Sequence, residues 1–325
     1  MAGPMKAAVY HRNGPPDVFR YEEVPDPPLH ARGVVVQVAA VSIEGGDVLN
    51  RAGGALTASP HIVGYQCAGH VREVGAEVTG LHAGDAVVCV MGNGSHAELV
   101  SVPEQACWRV PAELSIEEAA CVPIPFGTAD DCLFEFGRLQ QGESVLVQAG
   151  ASGVGLAAVQ LAKRAGALVF ATASTEDKLE RLSGLGVDHG IHYTASDFVT
   201  EVRRLTDGRG VDVVVDSVGG QVLAGSLRCL AYRGRCVTVG NAGREVGERY
   251  DLSSLMGGNQ SISGVFLGAE IATERVQRMI ARHLDDIAAG RLKVIIDRTF
   301  PLSEAAAAHA YLESRQAFGR VVLIP

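Results

Sequence analysis

The spacing of apolar and polar positions changes twice along this chain. Up to about residue 115 apolar residues come in short β-branched runs, Val34-Val35-Val36-Gln37-Val38 and Asp85-Ala86-Val87-Val88-Cys89-Val90. Asn13-Gly14-Pro15-Pro16 and Pro25-Asp26-Pro27-Pro28 interrupt them at short intervals. Short strands with frequent turn residues predict a barrel or partly open sheet. Ser115-Ile116-Glu117-Glu118 then pairs a capping Ser with Glu three residues on, so a helix should start there. From about Glu143 to Val265 strands that are apolar throughout alternate with helical patterns. The strands are Ser144–Gln148, Leu168–Thr172, Val211–Asp216 and Arg235–Val239, with a helix expected over Gly153–Arg164. Continuous apolar strands separated by helices predict a parallel sheet covered on both faces. The tail predicts a helix over Thr273–Ala289 and a strand at Lys293–Ile296. An Ala-rich helix should follow from Pro301-Leu302-Ser303-Glu304 to Ser314, and a closing strand over Gly319–Ile324.

Length and composition narrow the class. At 325 residues, two domains are expected. Hydrophobic residues are 47% and charged residues 20%, the balance of an ordinary globular protein. With 28 Lys and Arg against 37 Asp and Glu, the formal charge is −9, which argues against nucleic-acid and anionic-lipid partners. No run reaches the roughly 18 apolar residues of a membrane span. Met1–Arg12 shows no signal-peptide apolar stretch. The seven cysteines, Cys67, Cys89, Cys107, Cys121, Cys132, Cys229 and Cys236, are scattered without a CxxC. Reduced, mostly buried thiols and a cytoplasmic protein are expected.

The strongest chemical signal is Val145-Leu146-Val147-Gln148-Ala149-Gly150-Ala151-Ser152-Gly153-Val154-Gly155-Leu156. An apolar strand runs into a small-residue turn and then a helix. Gly150 and Gly153 allow a tight turn and close approach of a pyrophosphate, and Gly155 lets the helix pack on the strand. The spacing is G-x-x-G-x-G rather than the commoner dinucleotide form, so the strand–turn–helix context carries the reading. At the end of the next strand an NAD site places a carboxylate for the ribose 2′-hydroxyl. Here Ala173 stands there, followed by Ser174, Thr175 and then Lys178, with Glu176 and Asp177 between. Hydroxyls and a Lys suit a 2′-phosphate, which favours NADP(H).

With these motifs on the page, the chain resembles the zinc-independent quinone oxidoreductases, the zeta-crystallin-like branch of the medium-chain dehydrogenase/reductase superfamily. The resemblance is carried by Met5–Val9, Asp47 with Arg51-Ala52-Gly53, Gly64–Gly69 and Gly94–Glu98. It continues through Ala149–Gly155, Gly208–Asp212, Asp216–Gly220, Pro301–Ala305 and Gly319–Leu323. It implies a Rossmann doubly wound parallel sheet plus a β-rich GroES-like domain, with the active site in the cleft between them. The implied boundaries are 1–122 with 268–325 for the GroES-like catalytic domain and 123–267 for the Rossmann domain. Carried over by position, the cofactor contacts are Gly150, Ala151, Ser152, Gly153, Val154, Gly155, Ser174, Lys178 and Tyr193. Ser217, Val218, Gly240, Asn241, Val265, Phe266, Leu267 and Arg320 extend the set. A homodimer through the edge near residues 262–267 is also implied.

Zinc-dependent relatives use a Cys, a His in a G-H-E-x-x-G segment, and another Cys. The matching positions here hold Glu44 and Tyr65, with Cys121 only near the third, so no metal is expected. Glu44, Cys67 and His61 would make a poor imitation of such a site. Without a Lewis acid, alcohol oxidation is disfavoured, and hydride transfer from NADPH to a quinone or α,β-unsaturated carbonyl is favoured. Groups expected at the nicotinamide are Glu44, Asp47, Arg51, Tyr65 and Thr128, the last in Phe126-Gly127-Thr128-Ala129. Arg51 or Tyr65 would donate to a developing enolate or hydroquinone oxygen. Glu44, Gln66 and Asp130 depart from the branch's usual Asn, Glu and Tyr. Glu44 is expected chiefly as an ion-pair partner of Arg51, with an acid–base role left open. An enoyl-thioester reductase, with Tyr65 as proton donor, and an NADPH-binding protein of little turnover are the alternatives.

Overall fold

The computed structural model describes residues 4–245 and 249–325. Among the described residues the chain divides into two compact units. One comprises residues up to Ile124 together with Glu270–Pro325, and the other is Pro125–Ala269.

The Val-rich runs of the first unit become strands: β1 (Pro4–Tyr10), β2 (Arg20–Pro25), β3 (Gly33–Ser42), β4 (His61–Ile62), β5 (Gln66–Val74), β6 (Ala86–Val90), β7 (Leu99–Pro103) and β8 (Cys107–Arg109). The helix α1 (Gly45–Gly53) directly follows β3, and the short α2 (Ile116–Ala119) follows β8. The Ser115 hydroxyl caps α2 by accepting the Glu118 N–H at 3.2 Å. Strands β2, β1 and β4 form a small antiparallel sheet. β3 lies at the centre of the larger one, paired with β5 and β7. β3 needs no polar alternation, because both of its faces are covered: Val34, Val36, Ala40 and Val41 are fully buried. Each of these buried Val side chains contributes roughly 1.5–3 kcal/mol.

In the second unit α3 (Pro123–Asp130) leads in, and six strands follow: β9 (Ser144–Val147), β10 (Leu168–Ala173), β11 (His189–His192), β12 (Val211–Asp216), β13 (Leu230–Thr238) and β14 (Ser261–Gly264). Their order is β11-β10-β9-β12-β13-β14, all parallel, the doubly wound Rossmann arrangement. The crossovers carry α4 (Gly153–Arg164), α5 (Glu176–Ser183), α6 (Phe198–Leu205) and α7 (Gly220–Arg228), with the short α8 (Ser253–Gly258) before β14. Leu146, Phe170 and Val214, on neighbouring strands, are wholly buried in one cluster. The chain is thus an α/β protein with a Rossmann sheet and a separate β-rich unit.

The chain then returns to the first unit as α9 (Glu274–Ala288), β15 (Ile296–Pro301), α10 (Ala305–Glu313) and β16 (Arg320–Ile324). Thr273 caps α9 as its hydroxyl accepts the Val276 N–H. The strand expected at Lys293–Ile296 is displaced: β15 only begins at Ile296. The Ile295 carbonyl is already taken by the Arg320 N–H at 2.8 Å, and parallel pairing with β16 starts one residue later. All seven cysteines are free, and all but Cys107 are buried. No helix among the described residues is long and apolar enough to cross a membrane.

Candidate nucleotide cradle and buried acid cluster

The glycine turn of the second unit is held from beneath. β9 ends at Val147, and Gln148 is buried with its side chain fully engaged. Its amide donates to Ser226 Oγ at 3.1 Å and its oxygen accepts from Thr172 Oγ1 at 2.8 Å. Thr172 Oγ1 in turn accepts the Ala149 N–H at 3.1 Å. Ser226 Oγ donates to Asp216 Oδ2 at 2.7 Å, and Asp216 Oδ1 accepts the N–H groups of Val218 and Gly219. One buried polar chain therefore fixes both the Ala149 turn and the loop after β12. Burial raises the Asp216 carboxyl above the usual range, and these three donors oppose the shift.

Ala149 sits in the left-handed region at φ 51°. The turn then delivers Ser152 as the cap of α4, its Oγ accepting the Gly155 N–H at 3.1 Å. A Cβ on Gly155 would lie 2.3 Å from the Ala149 carbonyl and 2.7 Å from that of Gly150. Gly155 is thus required by close helix–strand approach. Gly150, Ala151, Ser152, Gly153, Val154 and Gly155 together form a cradle of small residues at a helix N-terminus, the geometry that suits a diphosphate.

Beyond β10, Ser174 is half-buried and its carbonyl is held by His192 Nε2 at 2.8 Å. His192 Nδ1 meets Glu176 at 2.9 Å. Lys178 is buried, at 8% exposure, and is not a waving surface charge. Tyr193 is 40% exposed, beside Ala173 through its backbone N–H. Gly240 and Asn241 line an open hollow with Gly219 and Thr238. The buried Asn241 Oδ1 has no hydrogen-bond partner, as an acceptor awaiting a ligand would. Ser217 and Val218 precede that hollow, and their carbonyls accept from Ala242 and Gly243. Val265 donates its N–H to Thr238, Leu267 is buried, and Phe266 is 78% exposed. Thr128 and Asp130 lie in α3, both buried. These residues fit a dinucleotide.

The first unit carries a different cluster. Glu44, at the start of α1, is 3% exposed. Its Oε1 is paired with Arg320 Nη2 and accepts from Gln66 Nε2 at 2.8 Å and from Ser42 Oγ at 3.3 Å. Arg320 also donates to Ser42 Oγ at 2.7 Å and to the Ile43 carbonyl at 2.6 Å. Gln66 Oε1 accepts the Ile124 N–H at 2.8 Å. Asp47, one helical turn on, is fully buried; its Oδ2 accepts the Glu44 N–H at 2.8 Å, and its Oδ1 has no partner. Tyr65 is partly exposed. Its hydroxyl occupies the space a Cβ on Gly46 would need, 2.6 Å away, and takes a hydrogen bond from the Gly46 backbone.

Two carboxylates face one guanidinium here, so the cluster carries excess negative charge unless one acid keeps its proton. Burial is the dominant effect and favours the proton. It pushes Glu44 up to about 7 against the pull of Arg320 and Ser42. It also raises Asp47 well above the carboxylate range, with Glu44's charge adding to the shift. Asp47 has no direct ion pair, so burial favours its neutral form with the least opposition. Burial, then Asp47 and Glu44, push the Tyr65 phenol well above its ordinary value, so it stays a donor.

One expectation is corrected. Glu44 pairs with Arg320 and not with Arg51, because the two lie about two helical turns, roughly 10 Å, apart along α1. Arg51 is 1% exposed, paired with Glu313 of α10 and donating to the Gly14 carbonyl. Arg320, expected among the cofactor contacts, has its guanidinium committed to Glu44, Ser42 and Ile43. Glu44, Asp47 and Tyr65 are brought together in the first unit, and Thr128 belongs to the second.

Residues 153–285 match the family described as zinc-binding dehydrogenase, and residues 30–112 the alcohol dehydrogenase GroES-like domain. The chain is 34% identical to a 2-haloacrylate reductase of a Burkholderia species, over 98% of each chain. The quinone oxidoreductase of Escherichia coli, solved in complex with NADPH, superposes with a TM-score of 0.93 at 30% identity, covering 98% of this chain and 100% of that one. The enoyl reductase CurK superposes with a TM-score of 0.87 at 29% identity, covering 98% and 99%. The first family description names zinc. Among the described residues, however, no three His, Cys, Asp or Glu side chains are arranged to hold a metal. Glu44 is spent on Arg320, and His61 Nδ1 faces Thr57 at 3.4 Å. The residues do not fit a zinc ion.

Proposed function

The chain belongs to the medium-chain dehydrogenase/reductase superfamily and is an oxidoreductase; from that premise we propose that it uses NADPH to reduce a quinone or an α,β-unsaturated carbonyl without zinc. The observation that carries this reading is the cluster of Glu44, Asp47 and Tyr65 around Arg320, which holds protons in place of a metal. When bound, the reduced nicotinamide supplies the hydride. The small-residue turn from Gly150 to Gly155 holds the diphosphate at the N-terminus of α4, which adds its positive end. Ser174 and Lys178 take the 2′-phosphate, Tyr193 the adenosine side, and the absence of a carboxylate at Ala173 leaves that phosphate unrepelled. Ser217, Val218, Gly240, Asn241, Val265, Phe266 and Leu267 line the rest of the cofactor, with Thr128 near the nicotinamide.

Tyr65 donates a hydrogen bond to the acceptor's oxygen as charge develops there, then its proton. Glu44 and Asp47 keep a proton near the phenol. Arg320 acts as a positioning residue that fixes Glu44. The likeness to CurK supports a second acceptor class, an enoyl-thioester. We also propose a homodimer through the edge of β14, beside which Phe266, Met256 and Tyr232 are 78%, 76% and 68% exposed.

Fluorescence titration of metal-free protein with NADPH and NADH tests the cofactor assignment. Tight NADPH and weak NADH binding support the Ser174–Lys178 reading; the reverse order overturns it. NADPH oxidation with an ortho-quinone, a simple enone and an enoyl-thioester then separates the acceptor classes.

A further inference from the structure

Three cysteines from three neighbouring strands stand in one row. Cys67 of β5 pairs in register with Cys89 of β6, and Cys89 with Cys107 of β8. The Cys89 and Cys107 sulfurs are 3.5 Å apart, and the Cys89 thiol also meets that of Cys67. Directly opposed residues of an antiparallel pair have Cα atoms about 4.5–5.5 Å apart, inside the range that a disulfide spans. Exposure is graded along the row: Cys67 and Cys89 are fully buried, whereas Cys107 is half-buried at the sheet edge. β8 pairs through only three residues, so its end can close the remaining gap between the sulfurs.

We propose that Cys89 and Cys107 form a redox site that hydrogen peroxide converts to a disulfide. Cys107, the accessible member, attacks the peroxide; one O–O bond breaks, and Cys107 becomes a sulfenic acid with release of water. The Cys89 sulfur then attacks the Cys107 sulfur, its proton leaving with the departing hydroxide as a second water. Two thiols are oxidised, one peroxide is reduced, and a dithiol reverses the change. Cys89 is a poor first target: its thiol bonds and burial hold it well above the ordinary thiol range. The order of events therefore runs from Cys107 inwards. The site does not depend on the proposed hydride chemistry. Its consequence is local: β8 carries Trp108, whose Nε1 donates to the Gln277 carbonyl of α9 at 3.1 Å. Joining Cys107 to β6 clamps the strand that anchors α9.

The test is peroxide treatment of the intact native protein, followed by thiol counting after denaturation and peptide mapping. Trp108, the only tryptophan, gives a parallel fluorescence signal beside the new bond. The expected result is loss of two of the seven thiols, a Cys89–Cys107 peptide, quenched Trp108 emission and full recovery with dithiothreitol. In Cys107→Ser the thiol count should not fall, and in Cys89→Ser a sulfenic acid at Cys107 should be trapped by dimedone. Cys89→Ala serves if the serine variant folds poorly. An unchanged thiol count in the native protein, a Cys107–Cys107 link between chains, or a Cys67–Cys89 bond that persists in Cys107→Ser would each overturn the proposal.

Discussion

Two sets of carboxylates, one in each unit, are treated in opposite ways. In the second unit Glu143, Asp188 and Asp212 each meet a cation, Arg235, Lys163 and Arg209, together with backbone or hydroxyl donors. All three are held below their ordinary range, with those hydrogen bonds and charges outweighing burial. In the first unit Glu44, paired with Arg320, and its neighbour Asp47 are buried inside the protein and are raised. The pH signs follow. The lowered acids contribute stability that is present above their unfolded values and lost as acid protonates them. Glu44 favours folding most below about 4.5, its unfolded value, and that contribution is lost as pH rises through about 7. The lowered set is arranged to keep its acids ionised, and the raised set to keep protons.

The largest effect expected from breaking this contrast comes at the cradle. Gly155→Val drives a side chain into the Ala149 and Gly150 carbonyls. Calorimetric titration should show NADPH affinity lower by a hundredfold or more, about 2.7 kcal/mol, together with a lower melting temperature. Next, Arg320→Met leaves the Glu44 carboxylate buried and unpaired, at a cost of about 3–5 kcal/mol of stability near pH 8. Urea unfolding should show that deficit shrinking as pH falls below about 7, when Glu44 protonates. A pH-independent deficit would mean that Glu44 is not the partner at stake.

Tyr65→Phe sharpens the division of labour. Steady-state kinetics should give kcat for the preferred acceptor reduced by about 10²–10³-fold, with NADPH affinity unchanged, because the phenol belongs to proton supply alone. Smallest is Lys178→Ala, expected to weaken NADPH by about tenfold, roughly 1.4 kcal/mol, while leaving NADH within error. Equal losses for both cofactors would remove Lys178 from 2′-phosphate recognition.

The second unit was easy to read from sequence because its signals are local. Strand β9, the turn and α4 fall within one stretch of chain, and the Ser152 cap and the apolar runs of β10 and β12 stand in plain view. Even there, the chain of Gln148, Thr172, Asp216 and Ser226 was missed, because its members meet only after four elements pack. The visible hint was a polar residue closing or breaking an otherwise apolar strand, as Asp216 does after Val213-Val214-Val215. The first unit's cluster was harder to see. Glu44 and Arg320 are 276 positions apart, and Arg51 and Glu313 are 262 apart. A carboxylate near a basic residue in sequence suggests the wrong pair, since about two turns of α1 separate the two. The spacing of Glu44 and Asp47 by one helical turn, with two glycines between them, is the usable signal. Gly46 is small because the Tyr65 hydroxyl lies against it.

The central claim is that protons held by side chains do the work a metal would do. The most direct test is NADPH oxidation with an ortho-quinone and an enone, using protein stripped with a chelator and shown metal-free by elemental analysis. The account predicts full turnover in the stripped protein, no gain on adding zinc, and loss of turnover in Tyr65→Phe. Activity that vanishes on chelation and returns with zinc would contradict it.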